Sequence, residues 1–454
     1  VTGATDDRMG QRFSWWWVGC FLTASATAGV VFAVVLWGDT TADHRNALDT
    51  SWKVAAAVLA ILAALVTVRR LRLGEDEHRR QIVADAAKEA VDHATLVANL
   101  SSKASEQLGS DKAAVRIGGL TDLERLAQNY PDLRQTVVDR ICAYLRAPYR
   151  PPADYSAETL DEALASGAEE AESRLELDVR RTAQKILSRH LYWPQGDDKP
   201  TSFWELRSLD LRDASLVEVN FARCRLPEVD FRGASFYGKS YFDEATFGDL
   251  AWFDRLVFND PVTFVGAAFE DHALFSEVDF LQEVDFGHVD FLKSVRFNET
   301  SFGYRCVFSG VKFVEAAWFM SAMFRGRVEF DGATFAGAAL FGHAVFGGRV
   351  DFGFVKFCNV ADFDDAAFRS VARFTETTFN SEARFRGAAF KAAANFGSAI
   401  FRGSVNFSGA SFAIEPGLEG AIISDSKVRH AWPSGWRVRW GEGVPDDRGW
   451  LTKV

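Results

Sequence analysis

From Phe242 onward, phenylalanine recurs at 247, 253, 258, 264, 269, 275 and 280, the step alternating between five and six residues. The alternation continues unbroken to Phe412, through 32 consecutive positions, every one Phe. Before it, Leu206, Leu211, Leu216, Phe221, Leu226, Phe231 and Phe236 step by five. Of the 40 Phe in the chain, 35 stand on this ladder. A second column runs two residues earlier, through Ala245, Ala251, Leu256, Val262, Ala267, Ala273, Val278, Val284 and Val289 to Ala410. An α-helix repeats every 3.6 residues and a strand every two, so neither produces this pattern. A fixed unit with one large and one small apolar side chain, separated by polar residues, marks a solenoid. Each unit there buries its pair only against its neighbours.

The early units Leu211-Arg-Asp-Ala-Ser and Phe231-Arg-Gly-Ala-Ser have a central Leu or Phe with a small residue two before the next one. This resembles the pentapeptide-repeat family, and the five-six alternation resembles a Phe-rich variant of it. The resemblance covers 203–412 and implies a right-handed, four-sided parallel β-helix with one unit per side. The fold class is thus α plus β-solenoid. The sixth residue is read as a bulge at alternate corners, where Gly303, Gly326, Gly337 and Gly403 fall. Four units return the chain to the same side, and stacked coils pair at roughly 4.8 Å. Both ends of such a stack need caps, because open edges invite further pairing. The preceding helices and residues 413–454, with Trp432, Trp436, Trp440 and Trp450, are placed to supply them.

Residues 15–37 carry no charge and have Trp15, Trp16, Trp17 and Trp37 at their ends. That length crosses a bilayer, and the Trp residues mark both interfaces. After a polar loop at 38–51, residues 52–68 form a second apolar run with one charge, Lys53. Arg69, Arg70, Arg72, Arg79 and Arg80 follow. With Arg8 and Arg12 before the first run, the positive-inside rule puts both termini in the cytoplasm. The expected organisation is a cytoplasmic N-terminus at 1–14, transmembrane helices at 15–37 and 52–68, and an external loop at 38–51. A basic juxtamembrane segment and linker helix occupies 69–110. Its stripe Ile82, Ala86, Ala90, Ala94 and Val97 either pairs with a second copy, making 75–108 a homo-oligomer contact, or packs as a connecting helix.

Residues 111–202 read as a helical adaptor. Its helices are Asp111–Asn129, Asp132–Leu145 and Ala157 or later to His190, punctuated by Pro131, Pro148, Pro151 and Pro152. The segment from Arg116 to Ala127 resembles one that precedes the repeat in bacterial pentapeptide-repeat membrane proteins. Leu120, Leu123 and Leu126 are read as core, and the acidic stretch 158–176 as a solvated face.

The sequence carries no catalytic signature. The eight His are dispersed without metal-ligand spacing, and there is no P-loop and no nucleophile elbow. No catalytic, metal or cofactor residue is assigned, and the chain is read as not an enzyme. Cys224 and Cys306 fall in the small interior column, and five Cys without paired spacing suit a reducing compartment. A net charge of −11 argues against direct nucleic-acid binding. Charge is uneven along the repeat. Residues 243–290 hold twelve acids and one base, Arg255, for a net of −11, whereas 293–412 hold fourteen bases and ten acids, for a net of +4. The reading that follows is a scaffold anchored in the bacterial inner membrane by two helices. Its acidic coils, at Asp279, Asp285 and Asp290, meet a basic protein partner. The alternative is a DNA-mimic inhibitor of an enzyme such as gyrase, acting through 243–290. That function is implied by resemblance to the gyrase-protecting pentapeptide proteins.

Overall fold

The computed structural model describes residues 15–35, 40–152, 168–194, 196, 198–424, 429–440 and 449–454. The expected segment 1–14, Trp37, residues 153–167 with the first part of the third adaptor helix, and parts of the 413–454 tail lie outside these. The chain divides into two compact units, 1–96 and 97–454.

In the first unit, α1 spans Trp15–Val35. The second helix, α2, runs without interruption from Thr41 to Leu108 and continues into the second unit. The external loop expected at 38–51 is therefore helical from residue 41. Polar residues alone do not break a helix, and residues 41–51 hold neither Gly nor Pro. Here Thr50 and Ser51 also bond back to the carbonyls of Asn46 and Ala47, and Lys53 pairs with Asp49 four residues earlier. Only Arg45–Arg69 among the described helices has the length and apolar content to cross a membrane, and Gly19–Val35 is a shorter apolar helix. The two helices pack through small residues. Ser25 Oγ donates to the Ala55 carbonyl at 3.5 Å, Gly29 faces Ala55 and Ser51, and Ser25, Ala47 and Ser51 are buried. Phe21, Leu22, Val30, Val31, Trp52, Ile61 and Leu65 face outward.

The second unit opens with the end of α2, followed by α3 (Ala113–Asn129), α4 (Arg134–Leu145) and α5 (Ala168–Leu191). Leu120, Leu123, Leu126, Val138, Ile141 and Leu187 form their core, and Ala104 of α2 packs with it. Gly119 lies so close to α2 that a Cβ would sit 3.0 Å from the Ala104 carbonyl.

From Ser208 the chain winds through short strands that join four parallel sheets, named 1 to 4 in the order one coil visits them. Sheet 1 starts at Ser208–Asp210, sheet 2 at Ser215–Val217, sheet 3 at Ser240–Tyr241 and sheet 4 at Arg225–Leu226. The first coil takes 20 residues, as Ser208 pairs with Glu228. Later coils take 22, as Val262 pairs with Val284. All ladder Phe from 242 to 407 are buried. Rings one coil apart lie nearly parallel, as for Phe330 and Phe352 at 4.8 Å and 6°. Rings on opposite sides of one coil meet edge-on, as for Phe319 and Phe330 at 5.7 Å and 90°. Both arrangements are the favoured ones for aromatic quadrupoles.

The five-six alternation comes from two kinds of corner. In sheets 2 and 4 the strand ends on Phe, as in Asp279–Phe280. In sheets 1 and 3 it is the small residue and its successor, as in Val284–Asp285, and Phe begins the corner. After that Phe a tight turn closes, with the N–H of Val289 donating to the Phe286 carbonyl and His288 at φ 57°. The same left-handed position recurs every eleven residues, at Glu277, His288, Glu299, Gly310 and Ser321 among others. The other corner takes six residues, and there coils approach closely. A Cβ on Gly326 would fall 1.3 Å from the Tyr304 carbonyl, and Gly303, Gly337 and Gly403 are similarly crowded.

The helices close the first coil through side chains that imitate a strand. Gln184 of α5 donates to the Val217 carbonyl at 2.8 Å and accepts from its N–H at 3.0 Å. Gln135 of α4 donates to the Ser208 carbonyl and accepts from the Arg207 N–H. Arg146 pairs with Asp210, and Tyr192 bridges Cys224. At the far end a hairpin of Trp436–Trp440 and Gly449–Lys453 extends sheet 4.

Candidate functional site

The acidic coils of the solenoid look different in space and in sequence. Because one coil is 22 residues, a side chain's neighbours lie 22 positions away, and cations outside 243–290 reach into the block. Arg223 pairs with Glu244 at 3.0 Å, Arg225 with Glu270 at 3.3 Å, Arg305 with Glu283 at 2.9 Å and Lys312 with Asp290 at 3.0 Å. Other acids hold the backbone. Asp243 accepts from the Val265 N–H, Asp254 from Ser276 and Asp260 from Gly238, each bond joining adjacent coils. For Asp249, Glu277 and Asp279 no ion pair or side-chain hydrogen bond occurs among the described residues.

Asp279, Asp285 and Asp290 stand on sheets 2, 3 and 4 of the same coil. Their roles diverge. Asp279 is exposed and Asp290 is ion-paired. Asp285 is half-buried, and its Oδ1 accepts from the Gly287 N–H at 2.7 Å. Burial pushes its carboxyl above the ordinary carboxylate range, as it does for Asp254, and the backbone bond only partly offsets this. The same brace recurs at Asp351 with Gly353 and Asn395 with Gly397. Its sequence signal, Asp or Asn before a ladder Phe and Gly after it, was present and unread. The Gln135 and Gln184 surrogates leave no local signal, because their partners lie 73 and 33 residues away.

The described residues contain no group of three His, Cys, Asp or Glu placed to hold a metal. Burial pushes the Cys142 and Cys224 thiols up to about 12 and Cys306 well above its usual value, so these three stay protonated packing groups. The one buried His with a carboxylate partner is His190. Its Nε2 meets Glu124 at 2.8 Å, its Nδ1 meets the Ser202 carbonyl at 2.8 Å, and its ring stacks on Trp204. This cluster joins α3, α5 and the entry to the first coil.

The family model for pentapeptide repeats (9 copies) matches residues 221–268, 253–301 and 355–400. These matched stretches of the solenoid are thus pentapeptide repeats. Such solenoids are generally structural or interaction proteins. Comparison with curated proteins gave no match.

Proposed function

We propose that the protein is a non-enzymatic scaffold, tethered to the bacterial cytoplasmic membrane by α1 and the first part of α2, with both termini cytoplasmic. The observation that carries the tether is the inverted packing of these helices. Ser25, Ala47 and Ser51 lie inside while Phe, Leu, Ile and Val side chains lie outside. In water this arrangement is costly, whereas in lipid it is the usual one. Thr23 and Thr27 also return their hydroxyls to carbonyls of their own helix, as a lipid setting requires. The Arg69 to Arg80 cluster supplies the orientation. Single cysteines at Thr41 and Ser110 test it in intact cells. An impermeant maleimide is expected to label the first and spare the second, and the reverse would sink the topology.

In this reading the acidic coils are where a basic protein docks, with Asp279, Asp285 and Asp290 at the contact. The joint replacement of all three by Asn keeps the Asp285 acceptor, so folding should survive while partner capture and its salt sensitivity fall. Unchanged capture would remove the coils from the function. Gyrase-type inhibition by DNA mimicry is less favoured, because Arg223, Arg225, Arg305 and Lys312 interrupt the acidic field that a duplex mimic needs.

A further inference from the structure

Three of the four sheets have a partner at their N-terminal edge: sheet 1 has Gln135, sheet 2 has Gln184 and sheet 4 has the Tyr192 bridge. Sheet 3 has none. On its side of the first coil the chain makes a single bridge, Asn220 with Tyr241. There the Val219 carbonyl and the Phe221 N–H both bond toward Tyr241. Alternation along an extended chain then turns the N–H and C=O of Asn220 the other way. No described residue bonds to them, and Asn220 is exposed.

That open edge lines a groove of about 1130 Å³ between α5 and the first coil. Five cations line it, four of them from α5, against the two acids Asp178 and Glu218. Arg181, Arg189 and Arg223 already hold carboxylates at 2.5, 2.8 and 3.0 Å. Lys185 is exposed and has no ion pair among the described residues. Leu175 and Tyr192 offer exposed apolar surface along the same groove, at 41% and 42%.

We infer that this groove binds an extended, acidic segment of a partner protein, which adds a strand to sheet 3 at Asn220. Backbone pairing at an open edge supplies the register, and alternate side chains then point to opposite sides. Acidic ones meet Lys185 and its neighbours, and apolar ones meet Leu175 and Tyr192. A second copy is a poor occupant. The last strand of sheet 4, Trp436–Trp440, exposes Arg437 and Arg439, so end-to-end stacking would bring cations to a cationic groove. The inference rests on the scaffold reading and adds a site distinct from the acidic coils.

The test uses the full chain in detergent and a fluorescein-labelled heptapeptide of alternating Glu and Leu, followed by anisotropy. Binding is expected to weaken with salt, to fall by about tenfold in Lys185→Glu, and to survive in Lys185→Arg. Methylating the central peptide nitrogens should also weaken it about tenfold, since a strand-edge donor is lost. Equal affinity of the Lys185→Glu protein, equal affinity for a Lys and Leu peptide, or indifference to methylation overturns the inference. Binding seen only after deletion of residues 154–166 also overturns it, because the groove would then belong to the chain's own acidic segment. None of these results bears on membrane partition or on capture by Asp279, so a failure here is separable from a failure of the scaffold reading.

Discussion

A ladder Phe and its outward neighbour differ by one position and by most of their energetic weight. Phe330 is fully buried, stacked at 4.8 Å on Phe308 below and on Phe352 above. Phe330→Ala should cost about 3–5 kcal/mol in denaturant unfolding, as a large-to-small change in a core. Lys312 stands one residue before Phe313, largely exposed, and pairs with Asp290. Lys312→Ala should cost at most about 0.5–1 kcal/mol, the range of an exposed pair. Equal losses would remove the inside-outside assignment. Asp285 behaves differently from either. Its folded carboxyl titrates above its unfolded value because burial disfavours the charge. The ionised group therefore subtracts stability at neutral pH, and the penalty lifts as pH falls through the folded pKa. Asp285→Asn keeps the acceptor for the Gly287 N–H and drops the charge. It should melt higher than the parent at pH 7, with the gap closing toward about pH 4, where the unfolded carboxyl also protonates. A gap that persists at low pH would assign the effect to packing.

At the scale of the element, the two corners make opposite demands on glycine. Gly332 lies at φ 67° with no atom within 4 Å of an added Cβ, so Gly332→Ala meets only the backbone cost, about 1 kcal/mol. Gly326 has no positive φ, but a Cβ there would overlap the Tyr304 carbonyl of the coil below. Gly342 has neither constraint, its closest contact being 3.8 Å. The order of destabilisation should be Gly326→Ala, then Gly332→Ala, then Gly342→Ala, measured by thermal melts. Any other order would mean that the corners are not what sets these glycines. The repeat itself was legible, because a period of eleven is visible wherever Phe and Ala or Val recur. Its caps were not. The strand surrogates Gln135 and Gln184 are single polar residues on helices, indistinguishable in sequence from solvated ones. The pairing of the coils' charges is hidden from the sequence for a related reason. A count along the chain sees Asp290 among acids, whereas its nearest cation, Lys312, is one coil away. The helix at 41–51 leaves no signal of its own, because a polar stretch reads alike as a loop or as a solvated helix.

At the scale of the whole molecule, the two units distribute their apolar side chains in opposite ways. Residues 97–454 have apolar side chains inside and charges outside, and the core runs from Ala104 through Leu187 and the Phe stacks to Leu451. Residues 1–96 have the reverse arrangement in their apolar helices. A chain beginning at Val97 keeps the contacts of α2 with α3 and the Gln135 and Gln184 caps, so no coil edge that the helices cover is opened by the cut. It should therefore stay soluble without detergent and unfold with the full solenoid signal, whereas the intact chain should sediment with membranes. Hydrogen exchange should then grade along the coils. A repeat buries its apolar pair only against its neighbours, so the inner coils must open two interfaces and the last coil one. Amides from Phe264 to Phe374 should exchange slowest. Those near Phe412 should exchange faster, since that ladder Phe alone after 242 is only partly buried and Ser411–Phe412 is the last strand of sheet 2. If the truncated chain instead needs detergent, apolar surface of 97–454 also meets lipid, and a tether confined to the first 96 residues is wrong.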